Sequence, residues 1–335
     1  MPEATINPSG IRLGTTLYSF TNEYHSRRYS LEGLVRRVSE LGIGPGLEVV
    51  GFQSFRGFPY IDDKDADRFC AVVAESGLEL TCLAINADRW ISRSREMTVA
   101  ESVVFHRKQL MAAAKLKFPL VRYQYAAGVD VIQRLVADAE RLNVKLALEI
   151  HAPHHVEHPE ILAYRELYAK MQSPLLGFVP DFGASARAVP SIYVQYFTAR
   201  GISPDIIQCA LDIWREDGDQ FARRSKFLAL GKRYQWNSTW VTEVSAIFNL
   251  FSRQAPESWL QIMPQIFHVH GKFYFVDDDG FDAAIPYEQL LPVLAQGGYR
   301  GYISSEWEGH QVTDYDGFSQ VLRHHALERR VLSSL

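Results

Sequence analysis

Short apolar runs alternate with longer amphipathic segments along this chain. The runs are rich in β-branched residues and often apolar at consecutive positions, which is typical of strands buried on both faces. We find eight of them: Ile11–Leu17, Leu47–Val50, Leu78–Ile85, Leu120–Gln124, Lys145–Ile150, Leu175–Pro180, Ile266–Phe275 and Tyr302–Ser305. This pattern predicts eight strands of a mostly parallel sheet.

The segments between the runs carry helix signals at both ends. The segment SLEGLVRRVSELG begins at Ser30, a favoured N-cap, and ends at Gly42, a favoured C-terminal residue. Thr98 and Glu101 have the spacing of a capping box. Strands alternating with helices predict an α/β fold, a closed (β/α)8 TIM barrel. An open, doubly wound sheet is the alternative, but no glycine-rich nucleotide-binding motif follows an early strand.

One connection is much longer than the others. The 82 residues at 184–265 separate the sixth and seventh runs, where one helix and two loops require far fewer. This stretch is helical in pattern and rich in aromatic residues. We expect a single TIM-barrel domain over residues 1–335 with a helical insertion at 184–265. Two interpretations of the insertion stay open. It is an extra layer packed on the barrel, or it has a functional role as a cap over the mouth or as a docking surface for another subunit.

Composition narrows the class of protein. The chain has 335 residues, 47% of them hydrophobic, and a formal net charge of −4, which is typical of a globular protein and argues against a nucleic-acid partner. The three cysteines are far apart, so neither a disulfide framework nor a thiolate metal site is expected. The N-terminus has no signal-peptide pattern, and no apolar stretch is long enough to span a membrane. We therefore expect a cytoplasmic protein with no membrane association.

Side chains that bind metals close four consecutive runs. The C-terminal ends of barrel strands carry the active site in enzymes of this fold. Residues two apart on a strand face the same way, so the polar residues of each run point together. The fifth to eighth runs supply Glu149 and His151, then Asp181, then His268, His270 and Lys272, and finally Glu306 and Glu308.

Four of these side chains fall at equivalent points of their strands and are the expected ligands of one divalent cation: Glu149, Asp181, His270 and Glu306. Taken singly, a strand-end Glu is most often an ion-pair partner, and a His in an apolar strand is most often a core residue. Their coincidence on four strands favours a metal, because buried carboxylates need a compensating charge. Oxygen and imidazole ligands suit Mn²⁺, with Mg²⁺, Fe²⁺, Co²⁺ and Zn²⁺ as alternatives.

Other strand-end residues carry weaker signals. Arg122 closes the fourth run and is expected either to hold a substrate oxygen or to neutralise a buried carboxylate. Glu48 and Tyr18 are placed to line the mouth, with packing the expected role of the tyrosine. The histidines of HAPHHVEH that follow His151 are interpreted as a solvated turn.

Several segments resemble a known superfamily. The LEIH, PDFG, HVHGKF and SSEWEG segments are similar to those of xylose-isomerase-like sugar phosphate isomerases and epimerases, and the similarity runs over nearly all of the chain. In that superfamily a Glu, an Asp, a His and a Glu bind one divalent metal, which maps onto the four residues named above. The EIHAP segment, the SSEWEG segment and the large insertion most resemble the α subunits of C-glycoside deglycosidases.

That resemblance implies a mechanism and a partner. The enzymes of this family act with a small β subunit on 3-oxo-C-glycosides of plant polyphenols, so a hetero-oligomer is expected. The resemblance assigns the base to His151, which removes the acidic C2 proton before β-elimination cleaves the bond to the aglycone. Lys272 is expected to bind a sugar oxygen, or alternatively to pair with Glu306 or Glu308. Glu308 is also expected to contact the substrate.

Two other functions stay open from the sequence. A ketose or inositol-type isomerase or epimerase has the same ligands and transfers a proton through an enediolate without breaking the carbon skeleton. A non-catalytic carbohydrate-binding or scaffold subunit is the third possibility. Release of free aglycone from a 3-oxo-C-glucoside distinguishes the lyase from the epimerase, and metal analysis addresses the scaffold.

Overall fold

Eight parallel strands form the centre of the computed structural model, which describes residues 9–91 and 94–335. The strands are β1 (Arg12–Thr16), β2 (Gly46–Val50), β3 (Glu79–Ala84), β4 (Leu120–Tyr123), β5 (Lys145–Ile150), β6 (Leu176–Pro180), β7 (Val269–Phe273) and β8 (Tyr302–Trp307). Each strand overlaps one of the eight predicted runs, and six of the strands lie entirely within them; β2 begins one residue before its run, at Gly46. The predicted end of β8 was too early, because the strand continues through Glu306 to Trp307 with every residue buried.

The sheet closes into a barrel. Its hydrogen-bonded order is β6-β5-β4-β3-β2-β1-β8-β7, and the two outer strands meet through parallel bridges between Phe178 and Ile266 and between Asp181 and His270. A glycine permits this close approach, since a Cβ at Gly177 would lie 2.5 Å from the carbonyl oxygen of Gln265. The closed barrel is therefore confirmed over the open sheet.

Helices cover the outside of the barrel. They are α1 (Thr21–His25), α2 (Leu31–Glu40), α3 (Gly51–Ser54), α4 (Asp63–Glu75), α5 (Val99–Lys115), α6 (Val129–Leu142), α7 (Pro159–Met171), α8 (Ser191–Ala199), α9 (Pro204–Arg215), α10 (Gln220–Arg233), α11 (Ser238–Val244), α12 (Ile247–Leu250), α13 (Tyr287–Gln296) and α14 (Gly317–Leu332). The predicted caps are confirmed: Ser30 Oγ accepts from the Gly33 N–H, and Thr98 and Glu101 form a reciprocal capping box. Within the described residues, no helix has both the length and the apolar character needed to cross a membrane.

The insertion between β6 and β7 carries α8 to α12 and a 3-10 helix at Pro256–Gln265. Indole groups tie it together, since Trp214 Nε1 donates to the Phe251 carbonyl at 2.9 Å and Trp259 Nε1 donates to Ser185 Oγ at 3.1 Å. Most of its large aromatic side chains are buried: Tyr193, Phe197, Trp214, Phe227, Phe248, Phe251 and Trp259. These rings pack inside the chain, so they are not part of an exposed docking surface.

The barrel interior changes from apolar to charged along the strands. A small apolar cluster of Cys82, Leu120, Ala147 and Val179 fills one level of the interior. Two residues further along β4, β5 and β6, and therefore on the same face, come Arg122, Glu149 and Asp181. The strand periodicity thus places a charged layer directly beyond the apolar one, towards the C-terminal mouth.

Candidate active site and metal centre

The structure brings together the four side chains that the sequence singled out as metal ligands. Glu149, Asp181, His270 and Glu306 are all buried, and each offers one ligand atom within 4.8 Å of the others. They come from the ends of β5 and β6 and from within β7 and β8. The register supports this convergence, because Asp181 pairs with His270 across the seam where the barrel closes.

His270 lies at the centre of the cluster. Its Nδ1 is 2.8 Å from Glu149 Oε1 and 3.2 Å from Glu306 Oε2. Its Nε2 points the other way and is 2.9 Å from Glu48 Oε1. The two ring nitrogens therefore face different carboxylates, with Nδ1 towards the four-residue cluster.

Two cations contact the carboxylates. Lys272 Nζ is 3.1 Å from Asp181 Oδ2, 3.1 Å from Glu306 Oε2 and 2.7 Å from Glu308 Oε1. Arg122 Nη1 is 3.3 Å from Glu149 Oε2. The sequence analysis gave each of these residues two alternative roles, binding a substrate oxygen or pairing with a buried carboxylate. The structure shows the second of these contacts for both residues.

These contacts keep Glu149 and Glu306 ionised despite their burial. Burial alone raises the pKa of Glu149, but the charge of Arg122 and the hydrogen bond with His270 hold that pKa well below its ordinary value. Burial likewise opposes ionisation of Glu306, yet His270 and Lys272 lower its pKa to about 2. The pKa of Lys272 is well above its ordinary value, because the charges of Asp181, Glu306 and Glu308 outweigh its burial.

Negative charge exceeds positive charge in this layer. Its buried carboxylates are Glu48, Glu149, Asp181, Glu306 and Glu308, and its permanent cations are Arg122 and Lys272. Burial and the nearby carboxylates raise the pKa of Asp181 in spite of Lys272. Asp181 Oδ2 and Glu306 Oε2 are buried and accept no well-aligned hydrogen bond from the described residues: Lys272 Nζ lies 3.1 Å from each, and His270 Nδ1 lies 3.2 Å from Glu306 Oε2. Two such oxygens in an acidic layer fit a divalent cation.

A glycine sets the orientation of Asp181. The Gly183 N–H donates to Asp181 Oδ1 at 2.7 Å, which leaves Oδ2 facing the cluster. A Cβ at Gly183 would lie 2.9 Å from Asp181 Oδ1 and 3.4 Å from the Lys272 side chain. The PDFG sequence thus lets the backbone approach closely enough to hold this carboxylate.

His151 lies at the rim of the cluster. Its side chain is 25% exposed, and its Nε2 is 4.0 Å from Asp181 Oδ2. Its Nδ1 contacts the carbonyl oxygen of Ala152. A carbonyl oxygen accepts hydrogen bonds and cannot donate them, so Nδ1 carries a proton and the lone pair of the neutral ring is on Nε2, facing the cluster.

Other site residues carried little or no signal in the sequence. Gln124 donates to Glu149 Oε2 at 3.2 Å, and Tyr274 donates to Glu308 Oε2 at 3.2 Å. Gln124 is the last residue of the fourth predicted run, and this strand-end position was the only sequence feature that could have indicated a role in the site. The contact of Glu48 with His270 joins strands that are not neighbours in the sheet.

A second group of potential ligands has ordinary structural roles. His154, His158 and Glu160 also bring ligand-type atoms within 4.8 Å of one another. His154 Nε2 is hydrogen-bonded to Glu160 Oε2 at 2.7 Å, and His158 Nδ1 caps α7 by accepting from the Glu160 N–H. The positive end of the α7 dipole disfavours a cation there. His154 is nevertheless buried, so the expected solvated turn is wrong for this residue.

Solved structures share the barrel. The chain aligns with a D-psicose 3-epimerase from Clostridium cellulolyticum H10 with a TM-score of 0.58 and 12% identity, covering 96% of this chain and 99% of that one. It also aligns with a 3-keto-D-glucoside 4-epimerase from E. coli with a TM-score of 0.56 and 13% identity, again covering 96% and 99%. At these identities the similarity shows the fold, a xylose-isomerase-like TIM barrel.

Curated relatives are much closer in sequence. The chain is 40% identical over 334 residues to a 3'-dehydrocarminate deglycosidase alpha subunit of Microbacterium sp, covering 97% of this chain and 96% of the relative. It is 38% identical over 336 residues to a C-glycoside deglycosidase alpha subunit of Arthrobacter globiformis, covering 94% and 89%. No family model matches the chain. The name alpha subunit implies that these relatives have a partner subunit. The chain therefore belongs to the C-glycoside deglycosidase alpha-subunit family, a family of enzymes.

Proposed function

We propose that this chain is the catalytic alpha subunit of a metal-dependent carbon–carbon lyase that removes the sugar from 3-oxo-C-glycosides of plant polyphenols. Family membership supports the reaction class. The observation that carries the chemistry is the buried quartet of ligand atoms within 4.8 Å of one another, with a partly exposed histidine at its rim. We also propose that it acts in the cytoplasm, where its three free cysteines stay reduced.

Glu149, Asp181, His270 and Glu306 are the proposed ligands of one divalent cation, with Mn²⁺ as the natural candidate and Mg²⁺, Co²⁺, Fe²⁺ or Zn²⁺ as alternatives. When bound, such a cation supplies Lewis acidity that stabilises negative charge developing on the 3-oxo group. The acidic layer and the two oxygens without well-aligned hydrogen bonds support this assignment.

His151 is the proposed general base. Its Nε2 faces the cluster, and its side chain is 25% exposed at the rim. The hydrogen bond from Nδ1 to the Ala152 carbonyl orients the ring and places the accepting lone pair on Nε2. In the proposed first step this nitrogen takes the proton from C2 of the sugar, and the C–H electron pair forms the enolate with C3.

In the second step the enolate electrons form the C1–C2 double bond and restore the C3 carbonyl. The bond from C1 to the aryl carbon breaks, and its electron pair goes to the aryl carbon, which takes up a proton. Because one proton is removed and one is returned, the products are the aglycone and an unsaturated 1,5-anhydro-3-ketosugar. The balance requires neither water nor an oxidant.

Three further residues are the proposed substrate contacts. Lys272 is proposed to donate to a sugar oxygen while its ammonium group pairs with the carboxylates of Asp181 and Glu308. Arg122 lies beside Glu149 at the edge of the cluster and is proposed to contact a substrate oxygen. Glu308 accepts from Tyr274, which orients its carboxylate as a proposed acceptor for a sugar hydroxyl.

A sugar isomerase or epimerase is the second candidate. Glu149 and Glu306 both contact the same His270 nitrogen, at 2.8 and 3.2 Å, and paired metal-bound glutamates are the usual bases in such enzymes. That reaction would move a proton between neighbouring carbons and leave the aglycone attached.

The test uses the whole chain, alone and co-expressed with its genomic neighbours to supply the proposed small β subunit. Each preparation is incubated with a 3-oxo-C-glucoside, and free aglycone is measured by liquid chromatography. We expect aglycone from the co-expressed preparation and none after Asp181→Asn. A change of sugar configuration without aglycone would replace the proposal by the epimerase, and no reaction in any preparation would reject both.

A further inference from the structure

A buried polar group lies directly behind the proposed metal ligands. Glu48 of β2 contacts two histidines of β7, with Oε1 2.9 Å from His270 Nε2 and Oε2 2.9 Å from His268 Nε2. All three side chains are almost fully buried. His268 Nε2 is also 3.0 Å from Ser304 Oγ, so β8 joins the same group.

The alternation of side chains along β7 explains why one carboxylate meets both rings. His268 and His270 are two residues apart on a strand and point to the same face. β2 and β7 are separated in the sheet by β1 and β8, so Glu48 reaches across the barrel interior. A carboxylate buried there without partners would be strongly destabilising, and both of its oxygens have an imidazole nitrogen at hydrogen-bonding distance.

The contacts of Glu48 decide which nitrogen of His270 keeps its proton when a cation binds. Both oxygens of Glu48 have an imidazole nitrogen 2.9 Å away, which is the geometry of a carboxylate that accepts two hydrogen bonds. A carboxylate accepts hydrogen bonds only, and its partner nitrogen on His270, Nε2, must therefore carry the hydrogen. Nδ1, which faces Glu149 and Glu306, is then the nitrogen that can release its proton and offer its lone pair to a cation bound between them.

We infer that Glu48 is a positioning residue of the metal centre, which fixes the ring orientation and the tautomer of His270 so that Nδ1 is presented to the cation. His268 has a supporting role, because its hydrogen bond holds the second oxygen of Glu48 in place. This inference rests on the proposed function, since it assigns a role to Glu48 only if the quartet binds a metal. Carboxylates that orient a metal-binding histidine commonly contribute 10–100-fold to metal affinity.

The test compares Glu48→Gln with Ser304→Ala in the full chain. The first change keeps the size of the side chain and removes the acceptor-only carboxylate. The second removes a hydroxyl from the same buried layer without touching His270. Dissociation constants for Mn²⁺ and Co²⁺ are measured by competition with a chromophoric chelator, together with the visible spectrum of the Co²⁺-loaded chain. We expect about 10–100-fold weaker binding and an altered spectrum for Glu48→Gln, and affinity within about threefold of wild type for Ser304→Ala.

The possible outcomes separate the inference from the proposed function. An unchanged metal affinity in Glu48→Gln would overturn the role of Glu48 but would not affect the proposed metal centre. Equal losses in both variants would also overturn it, since general disturbance of the layer would then explain the effect. A wild-type chain that binds neither ion would reject the proposed metal centre itself.

A measurement on the wild-type chain covers the case in which Glu48→Gln does not fold. A crystal structure of the Mn²⁺-loaded chain should show His270 bound through Nδ1, with its Nε2 within about 3.2 Å of Glu48. Coordination through Nε2, or a Glu48 carboxylate turned away from the ring, would overturn the inference.

Discussion

Neighbouring side chains of strand β8 point into two different buried polar regions, an inner one inside the barrel and an outer one between the barrel and α14. Glu306 points into the barrel and joins the candidate metal centre. Ser305 points outwards to α14, where its Oγ is 2.8 Å from His324 Nδ1 and 3.3 Å from Glu328 Oε2. The side chains in both regions are almost completely shielded from solvent.

The two regions differ in charge. In the outer region, burial raises the pKa of Glu328 well above its ordinary value, and it lowers the pKa of His324 well below its ordinary value and that of His325 to about 3. The two histidines are therefore neutral near pH 7, and the Glu328 carboxyl keeps its proton to a higher pH than an exposed glutamate does. In the inner region, Lys272 and Glu306 stay charged. In these two regions burial favours the neutral form of a side chain, and charge persists where opposite charges lie within contact distance.

The sharpest way to break this comparison is to replace a carboxyl group by an amide in each region. Asp181→Asn and Glu306→Gln should lower metal content and activity together, with kcat/KM falling on the order of 10³-fold, because the ligands and the Lewis acidity are lost together. Glu328→Gln is the matched control, since it changes the same chemical group in the outer region. Metal content is measured by mass spectrometry and activity by aglycone release. Normal metal content in both inner variants would contradict the ligand assignment.

A second change separates the base from the ligands. His151→Ala should lower kcat by about 10²–10⁴-fold with metal content near normal, because the side chain is at the rim and is not one of the four proposed ligands. His155→Ala is the control, since it removes an imidazole from the same loop. Retained turnover in His151→Ala would remove this residue from the mechanism.

Lys272 tests whether the inner charges depend on one another. Lys272→Met should destabilise the metal-free chain by about 3–5 kcal/mol, because it leaves buried carboxylates without their cation. Lys226→Met is the control: Lys226 makes a comparably short ion pair with Glu216, but both side chains are exposed, and the expected loss is below about 1 kcal/mol. Urea unfolding in the presence of a chelator measures both. Equal losses of unfolding free energy in the two variants would mean that burial does not make the ion pairs of Lys272 more important for stability than the exposed pair of Lys226.

The outer region should appear in the pH dependence of stability. Because the pKa of Glu328 is higher in the folded chain than in the unfolded one, the folded state keeps a proton that the unfolded state releases above about pH 4.5. The stabilisation from this group is thus complete at low pH and is lost as pH rises, by at most about 1.4 kcal/mol per pH unit. Glu328→Gln should remove that slope in urea titrations between pH 5 and pH 8. An unchanged slope would show that Glu328 is ionised when buried.

Strand periodicity made the fold and the quartet predictable. Glu149 and His270 lie within buried runs, Asp181 and Glu306 come directly after them, and parallel strands end at the same mouth. The cross-barrel contact of Glu48 was not predictable, because it depends on the closure and curvature of the sheet. The polar side chains of α14 were missed for a different reason: His324 and Glu328 lie on a buried helix face, where their residue types predict exposure.

The most direct test of the inner region is the position of a bound ion. Crystals of the wild-type chain grown with MnCl₂ and measured near the manganese absorption edge should give one anomalous peak between Glu149, Asp181, His270 and Glu306, at about 2.0–2.3 Å from their nitrogen and oxygen atoms. Crystals with ordered side chains and no peak there, or a peak at the His154 cluster alone, would contradict the account.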